Sequence, residues 1–197
     1  MNTDVSLDSF LKYESYDHES WDELIDGLIV PMLGAGWTKH ATVRGTLQAA
    51  FANALNNRAK RLYFGNLFIA EANRYVPDLM VVGDESQIQE LGVFGAPELV
   101  GEVLTRWSAV YDRGRKMEIY ASSGVREYWI ADAESRTIEQ YVLDGGRYRL
   151  QAVACACSDA ELAKLSEAER GEIQRILRCR IYDEIQVDAN EIFGGID

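Results

Sequence analysis

The sequence contains little cysteine, and its cysteines are poorly placed for cross-linking. Only three occur in 197 residues, Cys155, Cys157 and Cys179. An odd number without a Cys-x-x-Cys pair argues against a disulfide framework and against a zinc ribbon. The pattern Cys-Ala-Cys is instead typical of two small residues on one face of a strand.

Long apolar runs are also missing from the sequence. No apolar segment approaches the roughly 20 residues that span a bilayer. Met1 begins an acidic segment, whereas a secretory signal begins with a basic segment followed by an apolar one. These absences predict a soluble protein with a cytoplasmic location.

Basic residues are scarce relative to acidic ones. Twenty lysines and arginines stand against 32 aspartates and glutamates, which gives a net charge of -12 at pH 7. This balance weighs against a nucleic-acid ligand, because phosphate binding is driven largely by lysine and arginine. The charge is unevenly spread, since residues 4–26 are strongly acidic and residues 106–116 carry four basic side chains against Asp112. Solvated surface is the ordinary explanation for both runs.

The length and composition predict one globular domain with a substantial core. With 47% hydrophobic residues, the chain is long enough for one such core and too short for two comfortable domains. We therefore divide it into an acidic N-terminal leader, residues 1–20, and a single domain, residues 21–197. The leader contains "SLDSFLKY", which is typical of a short helix.

Hydrophobic periodicity predicts the order of helices and strands. An amphipathic helix is expected from His40 to about Asn56, and a second from a Ser108 cap to about Ser122, with Val110, Met117 and Ala121 inside and Gly124 at its end. Strands are expected around Leu28 to Met32, in "RLYFGNLFIA", in "YVPDLMVVG", over Leu99 to Leu104 and in "EYWIADA".

The C-terminal third begins with a predicted hairpin, in which Asp144-Gly145-Gly146 forms the turn. Residues 158–177 are charged and helix-prone, and the chain closes with a possible strand and a last helical turn. The whole order predicts a mixed β-sheet flanked by helices, with extra N-terminal strands and a C-terminal hairpin.

Two carboxylates are expected to be buried. Asp78 in "VPDLMVV" and Glu102 in "PELVGEVL" fall where strand patterns predict burial, and a buried acid is costly unless it is paired, protonated or bound to a metal. If their strands are neighbours, both acids can converge on one hard cation such as Mg²⁺. Lys116 on the following helix could then complete a site for phosphodiester hydrolysis.

The segments "ELIDGLIVPM", "VPDLMVV", "PELVGEVL", "DRGRKMEIYASSGVREYWIAD" and "IEQYVLDGGRYRL" occur in an order and spacing that resemble the Uma-two (Uma2) family of restriction-endonuclease-like proteins. That family belongs to the PD-(D/E)xK nuclease superfamily. The resemblance spans about residues 21–193 and implies a restriction-endonuclease-like fold and a Mg²⁺-dependent DNA endonuclease, with Mn²⁺ as a possible substitute.

Position by position, the resemblance implies that Asp78 and Glu102 bind the metal and that Lys116 is the catalytic lysine, moved from the strand to the helix. Glu23 and His40 match residue types that the family often has, and they are assigned supporting roles. The chain departs from the family after the glutamate strand, where "TRWSA" replaces the usual Ser-Pro-Ser/Thr. Trp107 in this segment is either an exposed stacking platform for a base or a loop anchor.

Each site residue also has an ordinary explanation. Asp78 could be a turn or strand-end aspartate hydrogen-bonded to backbone, and Glu102 could be a strand-edge glutamate that pairs with Arg126 or Arg106. Lys116 could be a surface lysine paired with Asp112 one helical turn away. The alternative function is therefore a catalytically degenerate module that keeps the nuclease fold and binds nucleic acid or a protein partner. An active enzyme that cuts both strands is expected to be a homodimer.

Overall fold

The structure is a computed structural model that describes residues 22–31, 37–56, 62–70 and 73–196. The predicted acidic leader, residues 1–20, and its possible helix lie outside these residues. The strands are β1 (Glu23–Ile25), β2 (Leu28–Val30), β3 (Leu62–Tyr63), β4 (Leu67–Ile69), β5 (Asn73–Tyr75), β6 (Leu79–Val81), β7 (Ile88–Gln89), β8 (Gly92–Phe94), β9 (Leu99–Leu104), β10 (Glu127–Asp132), β11 (Thr137–Asp144), β12 (Arg147–Cys155), β13 (Ile176–Arg178) and β14 (Gln186–Asp188). The helices are α1 (Thr38–Leu55), α2 (Ala109–Asp112), α3 (Arg115–Ser123), α4 (Asp159–Leu162), α5 (Glu167–Glu172) and α6 (Ala189–Phe193).

Two six-stranded mixed sheets form the framework. The main sheet has the order β12-β11-β10-β9-β6-β3, and the second sheet has the order β2-β1-β5-β4-β8-β7. Most neighbouring strands are antiparallel, but β9 and β10 are parallel because α2 and α3 connect them in a crossover. A two-stranded sheet of β13 and β14 completes the fold. The mixed sheet flanked by helices is thus confirmed, and so is the hairpin of β11 and β12.

Strand β9 is the centre of the main sheet, and all six of its residues are buried. Its side chains alternate between two cores because successive residues of a strand point to opposite faces. Leu99 and Val103 pack in the core beneath α1, whereas Val100 and Leu104 pack in the core beneath α3 and the second sheet. A strand with apolar layers on both faces has no polar face, so Glu102 is the one charged residue of β9 and is buried with the rest.

Helix α1 covers one face of the main sheet as its periodicity predicts. Its buried apolar residues recur every four positions, at Val43, Leu47, Phe51 and Leu55. The ring of Phe51 meets Trp129 of β10 edge to face, with centroids 5.2 Å apart. This packing fixes the first turn of α1, and with it His40, against the sheet.

The predicted strand around Leu28 to Met32 is present as β2, which begins at Leu28, and it forms a hairpin with β1, a strand that was not predicted. Strands β1 and β2 are joined by Asp26 and Gly27, both with positive φ, and Met32 lies outside the described residues. Asp-Gly is the residue pair that favours a two-residue hairpin turn. The predicted segment "YVPDLMVVG" is also divided, because β5 belongs to the second sheet and β6, after Pro77, belongs to the main sheet.

The predicted helix from Ser108 to about Ser122 is two helices. α2 ends at Asp112 and α3 begins at Arg115, because Gly114 packs so closely that an added Cβ would lie 2.6 Å from the carbonyl oxygen of Val110. Val110 was expected inside and is 79% exposed, since the break turns α2 away from the axis of α3. Gly124 ends α3 in a left-handed conformation, as predicted.

The helix-prone residues 158–177 form two short helices and the start of a strand. α4 and α5 each begin with a Ser-x-x-Glu capping box, at Ser158 and Ser166, and β13 begins at Ile176. Strand β14 and helix α6 then pack against α1, in the same core as Leu99 and Val103 of β9. Within the described part of the chain, no helix is long and apolar enough to cross a membrane.

Candidate functional site

A pocket of about 210 Å³ lies where β1, the first turn of α1, the start of β6, the end of β9 and the α2–α3 segment meet. All five residues predicted to form a site line this pocket: Glu23, His40, Asp78, Glu102 and Lys116. They come from five separate parts of the sequence. The structure therefore brings the complete predicted set together, although their chemical roles stay predictions.

The register of two antiparallel strands places Asp78 beside Glu102. Strand β6 pairs with β9 so that Leu79 lies opposite Gly101, which carries Asp78, the residue before β6, to the level of Glu102. The paired residues end at Leu79, and both carboxylates line the same pocket. Gly101 permits this close pairing, because a Cβ there would lie 2.8 Å from the Leu79 side chain.

The carboxylate of Asp78 contacts one backbone amide and two basic side chains. Its Oδ2 accepts a hydrogen bond from the Val103 amide at 2.7 Å and lies 3.4 Å from Nε2 of His40. Its Oδ1 lies 3.8 Å from Nη1 of Arg44, one helical turn further along α1. The backbone bond expected of a turn aspartate is thus present, but its donor belongs to the neighbouring strand, and the side chain is only 6% exposed.

Lys116 is a buried cation that faces three carboxylates. Its Nζ lies 2.8 Å from Glu23, 2.9 Å from Asp112 and 3.2 Å from Glu102, and the residue is 1% exposed. All three carboxylates lie within ion-pair distance of the one ammonium group. The pair with Asp112 exists as the ordinary explanation expected, but it is deeply buried and not on a helix surface.

Burial and neighbouring charges both shift the pKa values of Glu102 and Lys116. Removal from water raises the pKa of Glu102 well above its ordinary value, Lys116 lowers it, and Asp112, Glu23 and Asp78 raise it further. Burial lowers the pKa of Lys116, but the surrounding carboxylates outweigh it, so that its pKa lies well above the ordinary value. Lys116 is therefore a permanent positive charge in a cluster with excess negative charge.

This excess fits a divalent cation. Four carboxylates line the pocket, from Glu23, Asp78, Glu102 and Asp112, and Lys116 is the one lysine or arginine among the described lining residues. Oδ1 of Asp112 is buried and accepts no hydrogen bond, since its ion pair with Lys116 lacks hydrogen-bond geometry. In the described ranges no three acidic, histidine or cysteine side chains form a complete metal-ligand set. Mg²⁺ needs only one or two carboxylates, because water and phosphate fill its other positions.

Two further residues belong to the cluster and were not assigned a role from the sequence. Asp112 supplies the fourth carboxylate, and the hydroxyl of Tyr120 donates to Oε1 of Glu102 at 3.0 Å. The available signal was the spacing of four positions from Asp112 to Lys116 and from Lys116 to Tyr120, because residues four positions apart in a helix share a face. Arg126, suggested as a partner of Glu102, pairs with Glu98 instead.

The segment "TRWSA" forms the rim of the pocket directly after β9. Thr105, Trp107 and Ser108 line the pocket together with Tyr111 of α2. Trp107 is 52% exposed, and the guanidinium of Arg106 lies 5.3 Å from its ring centroid. The ring of Trp107 is thus accessible at the rim, and its role as a stacking platform or a loop anchor stays a prediction.

The fold is that of a nuclease. A solved structure titled as a "putative nuclease belonging to DUF820" from Anabaena variabilis matches with a TM-score of 0.61 and 16% sequence identity. The match covers 88% of this chain and 89% of that chain. At this identity the likeness establishes the fold alone.

The sequence comparison identifies the family. The family described as "Putative restriction endonuclease" (Uma2) matches residues 7–177, and the chain belongs to this family. Two uncharacterised Synechocystis proteins, sll1609 and slr1290, are each 28% identical to the chain, over 131 and 141 residues. These matches cover 64% and 70% of this chain and 73% of each relative.

Proposed function

We propose that the protein is a metal-dependent DNA endonuclease whose active site is the pocket around Asp78, Glu102 and Lys116. The observation that carries the proposal is the convergence of these three residues with Glu23 and His40 around one pocket. Membership of a family described as a restriction endonuclease supports the reaction class. The excess of carboxylates in the pocket supports a cation cofactor, Mg²⁺ or Mn²⁺.

The residues of the pocket would have separate roles in phosphodiester hydrolysis. Asp78 and Glu102 would hold the cation, which supplies Lewis-acid chemistry by polarising the scissile phosphate and lowering the pKa of water. Hydrolysis joins a water oxygen to phosphorus, breaks one phosphorus–oxygen ester bond and moves a proton from water to the leaving oxygen. Lys116 would offset the negative charge that develops on the phosphate.

Glu102 connects the lysine to the cation in this proposal. Its Oε1 accepts hydrogen bonds from Lys116 at 3.2 Å and from Tyr120 at 3.0 Å, and its other oxygen would bind the cation. Glu23 and Asp112 would keep Lys116 in place, and His40 would orient Asp78. These are supporting roles, because none of the three requires contact with the substrate.

Cleavage of supercoiled plasmid with Mg²⁺ or Mn²⁺ tests the proposal. Asp78→Ala and Glu102→Ala should abolish cleavage, whereas Glu118→Ala should retain it, because Glu118 is an exposed carboxylate on the same helix as Lys116. Equal activity in Glu102→Ala and the wild type would refute the assignment. DNA as the substrate, a homodimer for cutting both strands and a cytoplasmic location stay predictions.

A non-catalytic binding module is the second candidate, and one observation favours it. Lys116 is fully buried and its donors already face three carboxylates, which resembles a structural ion cluster. Calorimetric titration with Mn²⁺ separates the two functions. Saturable binding that is lost in Asp78→Ala supports the nuclease, and absence of such binding supports the module.

A further inference from the structure

Two exposed aromatic side chains stand at the rim of the candidate active site. Trp107 is 52% exposed and Tyr111 is 41% exposed, and both line the pocket that contains Asp78 and Glu102. Large aromatic rings left in water forgo the favourable free energy of burial. Two such rings beside the same pocket form a surface suited to a flat ligand.

The position of Trp107 is fixed by a hydrogen-bonded turn. The Thr105 amide donates to Oγ of Ser108, and the Ser108 amide donates to Oγ1 of Thr105, both at 3.0 Å. The Trp107 amide also donates to Oγ1 of Thr105, at 3.3 Å. Because Thr105 directly follows β9, this turn orders the backbone of Trp107 close to the end of the strand that carries Glu102.

Three cations in the segments that border the pocket are paired with carboxylates, and the exposed Arg106 and partly exposed Arg44 are too few to hold the backbone of a long duplex. Arg113 is engaged by Glu139 at 2.8 Å, Arg115 by Asp26 at 2.7 Å, and Lys39 by Glu134 at 3.6 Å. Duplex binding without base contacts depends on many lysine and arginine contacts to phosphate. The net charge of -12 reduces such binding further. Affinity for a nucleic acid therefore has to come from another interaction.

Base stacking supplies that interaction. Proteins that bind single strands stack successive bases on aromatic side chains, and every base has a face that can stack. The guanidinium of Arg106, 5.3 Å from the Trp107 ring centroid, adds a positive charge beside the stacking surface. A duplex keeps its bases stacked on each other, so only an unpaired base can reach Trp107.

We infer that Trp107 and Tyr111 receive an unpaired base next to the scissile phosphate, and that the substrate is single-stranded DNA or an unpaired segment of a duplex. This inference rests on the proposed nuclease function and narrows its substrate class. Trp107 is then the residue that selects the substrate, and supercoiled plasmid is cut faster than relaxed plasmid because negative supercoiling favours local unpairing.

Fluorescence anisotropy tests the inference. A labelled single-stranded oligonucleotide and its duplex are titrated with the protein, with Ca²⁺ in place of Mg²⁺ so that binding is followed and not cleavage. We expect the wild type to prefer the single strand, and Trp107→Ala to weaken single-strand binding roughly 5- to 150-fold. Trp107→Phe, which keeps a ring, should retain most of the affinity.

A matched control removes exposed apolar surface elsewhere. Leu150→Ala changes a 54% exposed residue on β12, the far edge strand of the main sheet, and should leave binding unchanged. Unchanged single-strand binding in Trp107→Ala overturns the inference, and Mg²⁺-dependent cleavage in that variant leaves the proposed function standing. Conversely, Trp107-dependent binding without any cleavage supports the stacking surface and refutes the nuclease.

Discussion

Replacing Lys116 by methionine should destabilise the protein far more than an ordinary loss of an ion pair. The substitution keeps an unbranched side chain but deletes the charge that faces Glu23, Asp112 and Glu102 within 3.2 Å. Removing one partner of a buried ion pair costs about 3–5 kcal/mol. In a chain of this size, that loss lowers the melting temperature by roughly 6–20 °C.

Urea and thermal unfolding in EDTA measure this effect, with Arg115→Met as the control. Arg115 precedes Lys116 in α3 and pairs with Asp26 at 2.7 Å, but the two side chains are 42% and 50% exposed. An exposed pair contributes about 0–1 kcal/mol, so the control should unfold close to the wild type. The difference between the two variants isolates the contribution of burial.

The pH dependence of Lys116→Met follows from the same cluster. The raised pKa of Lys116 keeps it charged in the wild type, and its contribution to stability is lost only above its unfolded pKa of about 10.4. Burial raises the pKa of Glu102 in the wild type, and deletion of the positive charge that lowers it raises this pKa further in the variant. The folded variant therefore binds more protons than the folded wild type, and the gap in stability should narrow as the pH falls. A Lys116→Met variant as stable as Arg115→Met, or a gap that is constant with pH, would refute this account of the cluster.

Three further substitutions probe individual residues. Glu102→Gln should abolish cleavage and yet stabilise the protein near pH 7. Because the pKa of Glu102 is raised in the folded state, the wild type loses stability as the pH rises above about 4.3. A urea unfolding curve that shows lower stability for the variant would contradict this expectation. Glu127→Gln should lower the free energy of unfolding by about 1–3 kcal/mol. One carboxylate oxygen of Glu127 accepts from the Trp129 indole at 2.7 Å and the other accepts from the Arg180 amide at 2.9 Å, whereas the side-chain amide of glutamine has only one oxygen that can accept. Unchanged thermal unfolding would show that these hydrogen bonds are dispensable. Gly114→Ala should lower the free energy of unfolding by about 1–3 kcal/mol and reduce cleavage, because the new Cβ would displace the start of α3. Normal activity and a normal melting temperature would show that the helix break tolerates a side chain.

The sequence allowed the candidate site to be predicted more fully than the fold around it. Asp78 and Glu102 are carboxylates inside apolar strand patterns, and this inconsistency with burial is visible without coordinates. Strand β9 was predicted with its observed bounds, because a mainly apolar run of six residues between turn signals has few alternatives. His40 and Glu23 entered through the family resemblance, since neither has a local signal of its own.

Other features depend on contacts between distant parts of the chain. The division of the strands between two sheets was not predicted, because strands of two or three residues carry too little periodicity to indicate their partners. The exposure of Val110 and the buried position of Asp112 both follow from the break at Gly114, which is a packing effect. The hairpin at Asp26 and Gly27 was missed although its turn signal was present, because β1 and β2 are shorter than typical strands.

The packing of the last two strands and α6 has a consequence for how the domain is delimited. The family match ends at residue 177, yet Ile185, Val187 and Phe193 lie beyond it in the same core as Val43 of α1. A shortened expression product that ended at residue 177 would leave the outer surface of α1 open to water and loosen the helix that carries His40. For this chain, a boundary taken from the family's shared sequence would cut through the hydrophobic core, so protein engineering should retain residues 178–196.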